Sequence, residues 1–436
     1  MIPLLEHVTR RKILLASVPK DSLILIPAAK EVLRNGQDNH FEFRQNSDFW
    51  YLTGFREPEA VLVLAPGRPE GETILFNRVR NPAEEVWTGK RAGQEGACQY
   101  YGMDQAFPIE IFEQQLPELM SGRSVVYYPV ARHMEFDRKV LKALSQVRAR
   151  VRKGVIAPDQ IMNIETLLHE MRVIKSDAEL ALMNHLNRIS GEAHIQMMQA
   201  SKPGMFEYEY EAIIRHHCYR HGCRSLAYSP IVGSGEHACI LHYVENNRQT
   251  QDGDLILIDA GGEYEGYSSD ITRTFPVNGR FTPEQAVIYN IVLTAQETCL
   301  AMIKPGLVWS ELQTTTIQVL TEGLVDAGIL KGKVPSLIEQ KAYFPFYMHL
   351  AGHFLGLDTH DAGIYFPKGT ARVLTRGMVL TIEPGIYIAP DNEQVDPRWR
   401  GIGVRIEDNV VVTDTGLNNM TAFVPKSVSD IEALML

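Results

Sequence analysis

The stretch DLILIDAGGEYEGYSSDITRTFPV, residues 254–277, decides the fold of the larger part of the chain. Aliphatic, β-branched and aromatic residues dominate DLILIDA (254–260) and ITRTFPV (271–277), so both read as strands, and GGEYEG between them is turn chemistry. An antiparallel hairpin centred on Glu263 to Gly266 places Asp259 opposite Asp270, with β-carbons about 4.5–5.5 Å apart. Two unscreened carboxylates at that separation repel. A shared proton, a basic side chain or a divalent cation must offset the repulsion.

Further along, His353 immediately precedes FLGLDTHDAG (354–363), which contains His360. LTIEPG (380–385) presents Glu383 before a Pro-Gly stop, and VRIEDNVVV (404–412) places Glu407 in a strand-like run. Taken singly, each reads more readily as a turn cap, a strand terminus or a loop histidine than as a ligand. As a set, four carboxylates balance the charge of two divalent cations, and an imidazole completes the shell. Dinuclear centres of this kind share bridging carboxylates and a bridging water of lowered pKa.

Working outward, the first third of the chain mixes β-rich runs such as AVLVLA (60–65) and SVVYYPV (124–130) with helical stretches, an α/β pattern. Ser176 opens SDAE, a capping box with Glu179, and Leu180, Met183, Leu186 and Ile189 then recur at helical spacing. This long core-facing helix marks a second domain, with the boundary near residue 172. Thr282, Pro283 and Gln285 start another helix, which KPG at 304–306 closes.

The chain has 436 residues, 45% hydrophobic and 22% charged, with a net charge of −10. That composition is globular, and the acidic balance opposes binding to nucleic acid or an anionic membrane. No run approaches the roughly 18 apolar residues of a spanning helix, and the N-terminal stretch lacks the order of a secretory signal. Five cysteines without a CxxC pair read as free thiols, so the expected compartment is the cytoplasm. His217, Cys218, His221 and Cys223 match no zinc spacing and read as a wet helix face, and no Walker loop or GxSxG elbow is found.

IDAGGEYEGYSSDITRTFPVNG, HFLGLDTHDAG, VLTIEPGIYIAP and GIGVRIEDNVVVT, in this order, closely resemble the metal-binding segments of the pita-bread metallopeptidases. FRQNSDFWYLTGFREPEAVLVL (43–64) resembles the N-terminal domain of the proline-specific aminopeptidases in that family. The resemblance implies an α/β (α+β) protein. A small α/β N-terminal domain (1–172), serving oligomerisation and substrate access, would precede a pita-bread catalytic domain (173–436) with a curved antiparallel sheet and pseudo-twofold symmetry.

It further implies that Asp259 binds one metal, His353 and Glu383 bind the other, and Asp270 and Glu407 bridge both, with manganese the preferred ion. The implied activity is release of the first residue from peptides with proline second, by attack of a metal-bridging hydroxide. Glu383 would handle the proton, and His242 and His360 would assist the tetrahedral intermediate or the leaving nitrogen. His349 would line the proline pocket, with Arg405 and Tyr387 behind the ligands. A dimer of dimers, with Asp38 and Trp87 near a neighbour's site, is implied as well. A prolidase restricted to Xaa-Pro dipeptides and a non-enzymatic binding scaffold are the alternatives.

Overall fold

The computed structural model describes residues 2–436 and divides into two compact units, Met1–Met171 and Arg172–Leu436. In the first, a six-stranded sheet runs in the order Gln105–Pro108, Thr73–Asn77, Val61–Leu64, Ser22–Pro27, Val125–Tyr128, Gln160–Asn163. The three central pairings of Thr73–Asn77 with Val61–Leu64, Val61–Leu64 with Ser22–Pro27, and Ser22–Pro27 with Val125–Tyr128 are antiparallel, antiparallel and parallel, and the two outer pairings are parallel. Strand Ser22–Pro27 is buried at every position, which explains its continuous apolar run SLILIP. Leu23, Val63, Phe76 and Val126 pack with Phe112, Leu116 and Val140 from flanking segments into one core. The short helix Pro82–Thr88 buries none of its residues, and it leaves Trp87 87% exposed.

The second unit repeats one order of elements. Helices Asp177–Ala200 and Glu207–Arg220 precede an antiparallel sheet of Ile231–Ser234, Leu255–Asp259 and Thr272–Pro276. Helices Pro283–Met302 and Trp309–Asp326 then precede a second antiparallel sheet of Val379–Ile382, Asp408–Val412 and Leu417–Asn419. The capping box at Ser176 and Glu179 is formed, and so is the one at Thr282 and Gln285. Both helices therefore start where Ser or Thr can satisfy amides that have no partner within the helix.

The hairpin register differs from the sequence expectation. Asp259 pairs with Thr272 and not with Asp270. The reason lies in the connection, where Gly262–Tyr264 and Tyr267–Ser268 pair with each other around Glu265 and Gly266. Glu265 has φ 53° and Gly266 φ 84°, the left-handed pair that a two-residue hairpin turn requires. The turn centre thus sits one residue further on, and every pairing moves by two. A shift of two preserves the face, so Asp259 and Asp270 remain diagonal neighbours.

VRIEDNVVV is likewise two strands, Gly403–Arg405 and Asp408–Val412, and Glu407 lies in the break between them. The facing run breaks too, between Val379–Ile382 and Gly385–Tyr387, with Glu383 and Pro384 in the gap. Pro384 has no amide for a ladder, and a Cβ on Gly385 would meet the Tyr387 hydroxyl at 2.5 Å. Arg273 joins the two sheets: fully buried, it donates to the carbonyls of Thr272 and Glu407 and to Asp408 Oδ1 at 2.7 Å.

Candidate active and metal-binding site

Asp259 ends the strand Leu255–Asp259, and Asp270 stands two residues before the strand Thr272–Pro276. The Tyr228 hydroxyl lies 2.5 Å from Oδ1 of both, and its proton is shared between them. Arg405 Nη2 donates to Asp259 Oδ2 at 2.7 Å. Both a shared proton and a basic side chain thus act on this pair of carboxylates. Burial and the neighbouring carboxylates push Tyr228 well above its ordinary pKa, which keeps it a donor.

His353 Nε2 lies 3.4 Å from Asp270 Oδ2 and 3.5 Å from Glu383 Oε1. Its Nδ1–H donates to the Phe354 carbonyl at 3.0 Å, so Nε2 faces the acids. Donor atoms of Asp270, His353 and Glu407 lie within 4.8 Å of one another, close enough to hold one ion. Glu407 Oε2 accepts from the Thr272 hydroxyl at 2.7 Å, whereas its Oε1 is buried without a hydrogen-bond partner. A buried carboxylate oxygen left this way costs free energy unless a cation meets it.

The electrostatics tell the same story. Burial and the neighbouring acids raise Glu407 well above the usual carboxylate range, and burial lifts Glu383 to about 7. Asp259 is raised by burial as well, against the pull of Arg405. Burial would lower His353, yet Asp270 and Glu383 outweigh it and lift the imidazole to about 9. The cluster therefore grips protons that divalent cations would displace.

A polar chain backs the acids. Arg405 Nη1 donates to the Tyr387 hydroxyl at 2.9 Å, and that hydroxyl lies 2.9 Å from His349 Nε2. His349 Nδ1–H donates to the Leu350 carbonyl, so Nε2 accepts from Tyr387. Burial and Arg405 hold His349 at about 4, a neutral imidazole. Tyr347, His349 and Tyr387 form an aromatic wall, with ring centroids 4.8 Å and 5.6 Å apart. His360 packs edge-on against His353 at 4.3 Å. His242 is exposed in a turn, and burial together with the neighbouring His353 lowers His360.

The structure thus gathers Asp259, Asp270, His353, Glu383 and Glu407 with Arg405, Tyr387, His349 and His360, and it leaves His242 at the rim. Sequence reasoning missed Tyr228 and Thr272. Tyr228, in LAYSP, carries no motif, and only the fold brings it between the two aspartates. Thr272 contacts Glu407 and also receives Arg405 Nε at 3.4 Å. Its signal was the strand register, which the sequence left two residues off.

Residues 181–414 match metallopeptidase family M24, and residues 7–127 match the aminopeptidase P N-terminal domain. The chain is 48% identical over 432 residues to the Xaa-Pro aminopeptidase of Escherichia coli, covering 99% of this chain and 97% of that protein. The structure of Pseudomonas aeruginosa aminopeptidase PepP is 49% identical, with a TM-score of 0.98, covering 100% of this chain and 99% of that one. Zinc-substituted E. coli aminopeptidase P in complex with product is 47% identical, with a TM-score of 0.96, over 100% of this chain and 98% of that one.

Proposed function

This chain belongs to metallopeptidase family M24, and from that premise we propose that it is an Xaa-Pro aminopeptidase, a metallo-exopeptidase releasing the first residue from peptides with proline second. The observation that carries the reading is the buried cluster of four carboxylates and one imidazole in which Glu407 Oε1 has no partner. In this proposal Asp259, Asp270, His353, Glu383 and Glu407 would hold the divalent ions. Oxygen-dominated donors suit a hard ion, and manganese is the proposed one. Bound there, divalent cations supply Lewis-acid polarisation of a carbonyl and lower the pKa of water.

The remaining chemistry belongs to the side chains. In this reading Glu383 accepts a proton from the attacking water and returns it to the leaving nitrogen of proline. The Xaa-Pro bond is a tertiary amide without an N–H, so recognition must grip the ring itself. His349, partly exposed and backed by the buried Tyr347 and Tyr387, offers such a surface. Arg405 holds Asp259 and, through Tyr387, the neutral His349. In this reading His360 and His242 donate to the developing oxyanion or assist the leaving nitrogen.

The N-terminal unit would serve assembly and access in a homotetramer, a reading supported by the exposed Asp38 and Trp87. No helix among the described residues is long and apolar enough to cross a membrane; the proposed setting is the cytoplasm. The test is turnover by metal-stripped protein, with and without manganese, on a Gly-Pro dipeptide, an Xaa-Pro-Xaa tripeptide and a Met-Ala-Xaa tripeptide. Manganese-dependent release from the Xaa-Pro tripeptide is expected. Cleavage of the dipeptide alone would move the protein to prolidase, and silence on all three would leave a binding scaffold.

A further inference from the structure

Away from the acidic centre, the adjacent helices Asp177–Ala200 and Glu207–Arg220 bring Glu192, His217 and His221 together. One donor atom from each lies within 4.8 Å of the others. His217 and His221 stand one helical turn apart, and their ring centroids are 4.3 Å apart. The wet-face reading of this segment fails at His217, which is only 4% exposed. Cys218 and Cys223 are buried too, but they belong elsewhere: a Cβ on Gly262 would meet both sulfurs, at 3.2 Å and 3.1 Å.

The state of the two imidazoles is informative. His217 Nε2 is buried and has no hydrogen-bond partner, and the nearest acid oxygen, Glu192 Oε2, is 3.7 Å away. That is beyond hydrogen-bond range. Burial and the neighbouring His221 lower the affinity of His217 for a proton, so a simple imidazolium–carboxylate pair is disfavoured. His221 Nδ1–H donates to the His217 carbonyl at 2.8 Å, which leaves Nε2 as the nitrogen available to an ion. Arg188 Nε occupies Glu192 Oε1 at 2.9 Å and leaves Oε2 open to the pair.

We propose that Glu192, His217 and His221 form a second metal site, separate from the catalytic centre, that binds one borderline divalent ion of the zinc class. Two imidazoles and one carboxylate are the donor set such ions prefer, and three protein ligands leave a fourth position for water. The half-exposed Glu192 and exposed His221 provide the entry, and the buried His217 anchors the ion. An ion there clamps the two helices behind the catalytic hairpin. The Glu192 helix also carries Ser190, which accepts from the Gly262 amide at 3.0 Å, and His194, which binds the Ala260 carbonyl at 2.9 Å.

The test is equilibrium dialysis of metal-stripped protein against zinc, counting bound zinc per chain by elemental analysis. Wild type is compared with His221→Ala and Glu192→Gln, both altered at accessible positions, and with His216→Ala as a control outside the cluster. Circular dichroism and manganese-supported turnover establish that each variant is folded. The expected result is one zinc fewer per chain in H221A and E192Q and no change in H216A. Equal zinc content in wild type and both cluster variants overturns the proposal. An equal deficit in H216A overturns it as well, because the extra zinc would then be diffuse surface binding.

Discussion

Glu407 and Asp408 are consecutive, both buried and both carboxylates, yet they live in opposite electrostatic worlds. Asp408 accepts from Arg273 at 2.7 Å, from Lys426 and Asn419 at 2.8 Å each, and from Thr421 at 2.9 Å. Arg273 and Lys426 overcome its burial and hold it far below the usual carboxylate range. Glu407 faces Asp270, Glu383 and Asp259, has one hydroxyl partner, and is driven the other way. Asp408 opens a strand and Glu407 lies in the break before it, so one residue step separates an acid saturated by basic and polar partners from an acid whose Oε1 has none.

The contrast can be broken most severely at Asp408. Replacing Asp408 by Ala leaves Arg273 buried without its counter-charge, and the expected cost is about 3–5 kcal/mol of unfolding free energy. Urea denaturation with and without manganese measures it. A loss below about 1 kcal/mol would show that the network is not a structural acid–base lock.

The opposite face gives the next largest effect. Glu407→Gln is expected to reduce turnover by about 10²-fold or more, as removal of a key charge-stabilising group does. The metal-stripped variant should melt at or above the temperature of metal-stripped wild type, because one member of a like-charge cluster is gone. A variant that keeps wild-type turnover, or that is strongly destabilised without metal, would erase the distinction between the two residues.

The smallest effect concerns pH. Glu383, at about 7 in the folded chain, stands above its unfolded value of about 4.3. Between those values the folded state binds more protons than the unfolded one, so this group's contribution to stability falls as pH rises through the window. Asp408 has the reverse sign: its contribution is full above about 3.9 and is lost as pH drops toward its depressed folded value. In the presence of a chelator the melting temperature should therefore decline from pH 5 to pH 7, and saturating manganese should flatten the decline by binding the native state. Parallel curves with and without metal would contradict the assignment of the acidic cluster as the metal site.

Much of this site was legible because its donors sit in strongly patterned surroundings. DLILIDA, ITRTFPV and LTIEPG declare strands by composition, and the acids at their ends stand out against apolar neighbours. The two capping boxes were equally readable, since a cap is a local interaction across three residues. The hairpin register was not, because it depended on Glu265 taking a left-handed conformation, which its residue type does not advertise. The break at Ile406–Glu407 was hidden for a related reason: the run looks continuous, and the interruption answers the gap at Glu383–Pro384 on the facing strand.

By itself, then, the amino-acid sequence determined which segments read as strands and helices, where the second domain begins to read differently, and which acids and histidines stand at the ends of apolar runs as candidates for metal binding. Those features arise from local composition and spacing. The tertiary structure alone decided that Tyr228 joins Asp259 to Asp270, that Arg405 neutralises Asp259 from 146 residues away, and that Glu192 meets His217 across two helices. Such pairings depend on which faces pack together, and packing is a property of the whole folded chain that no single window of sequence contains.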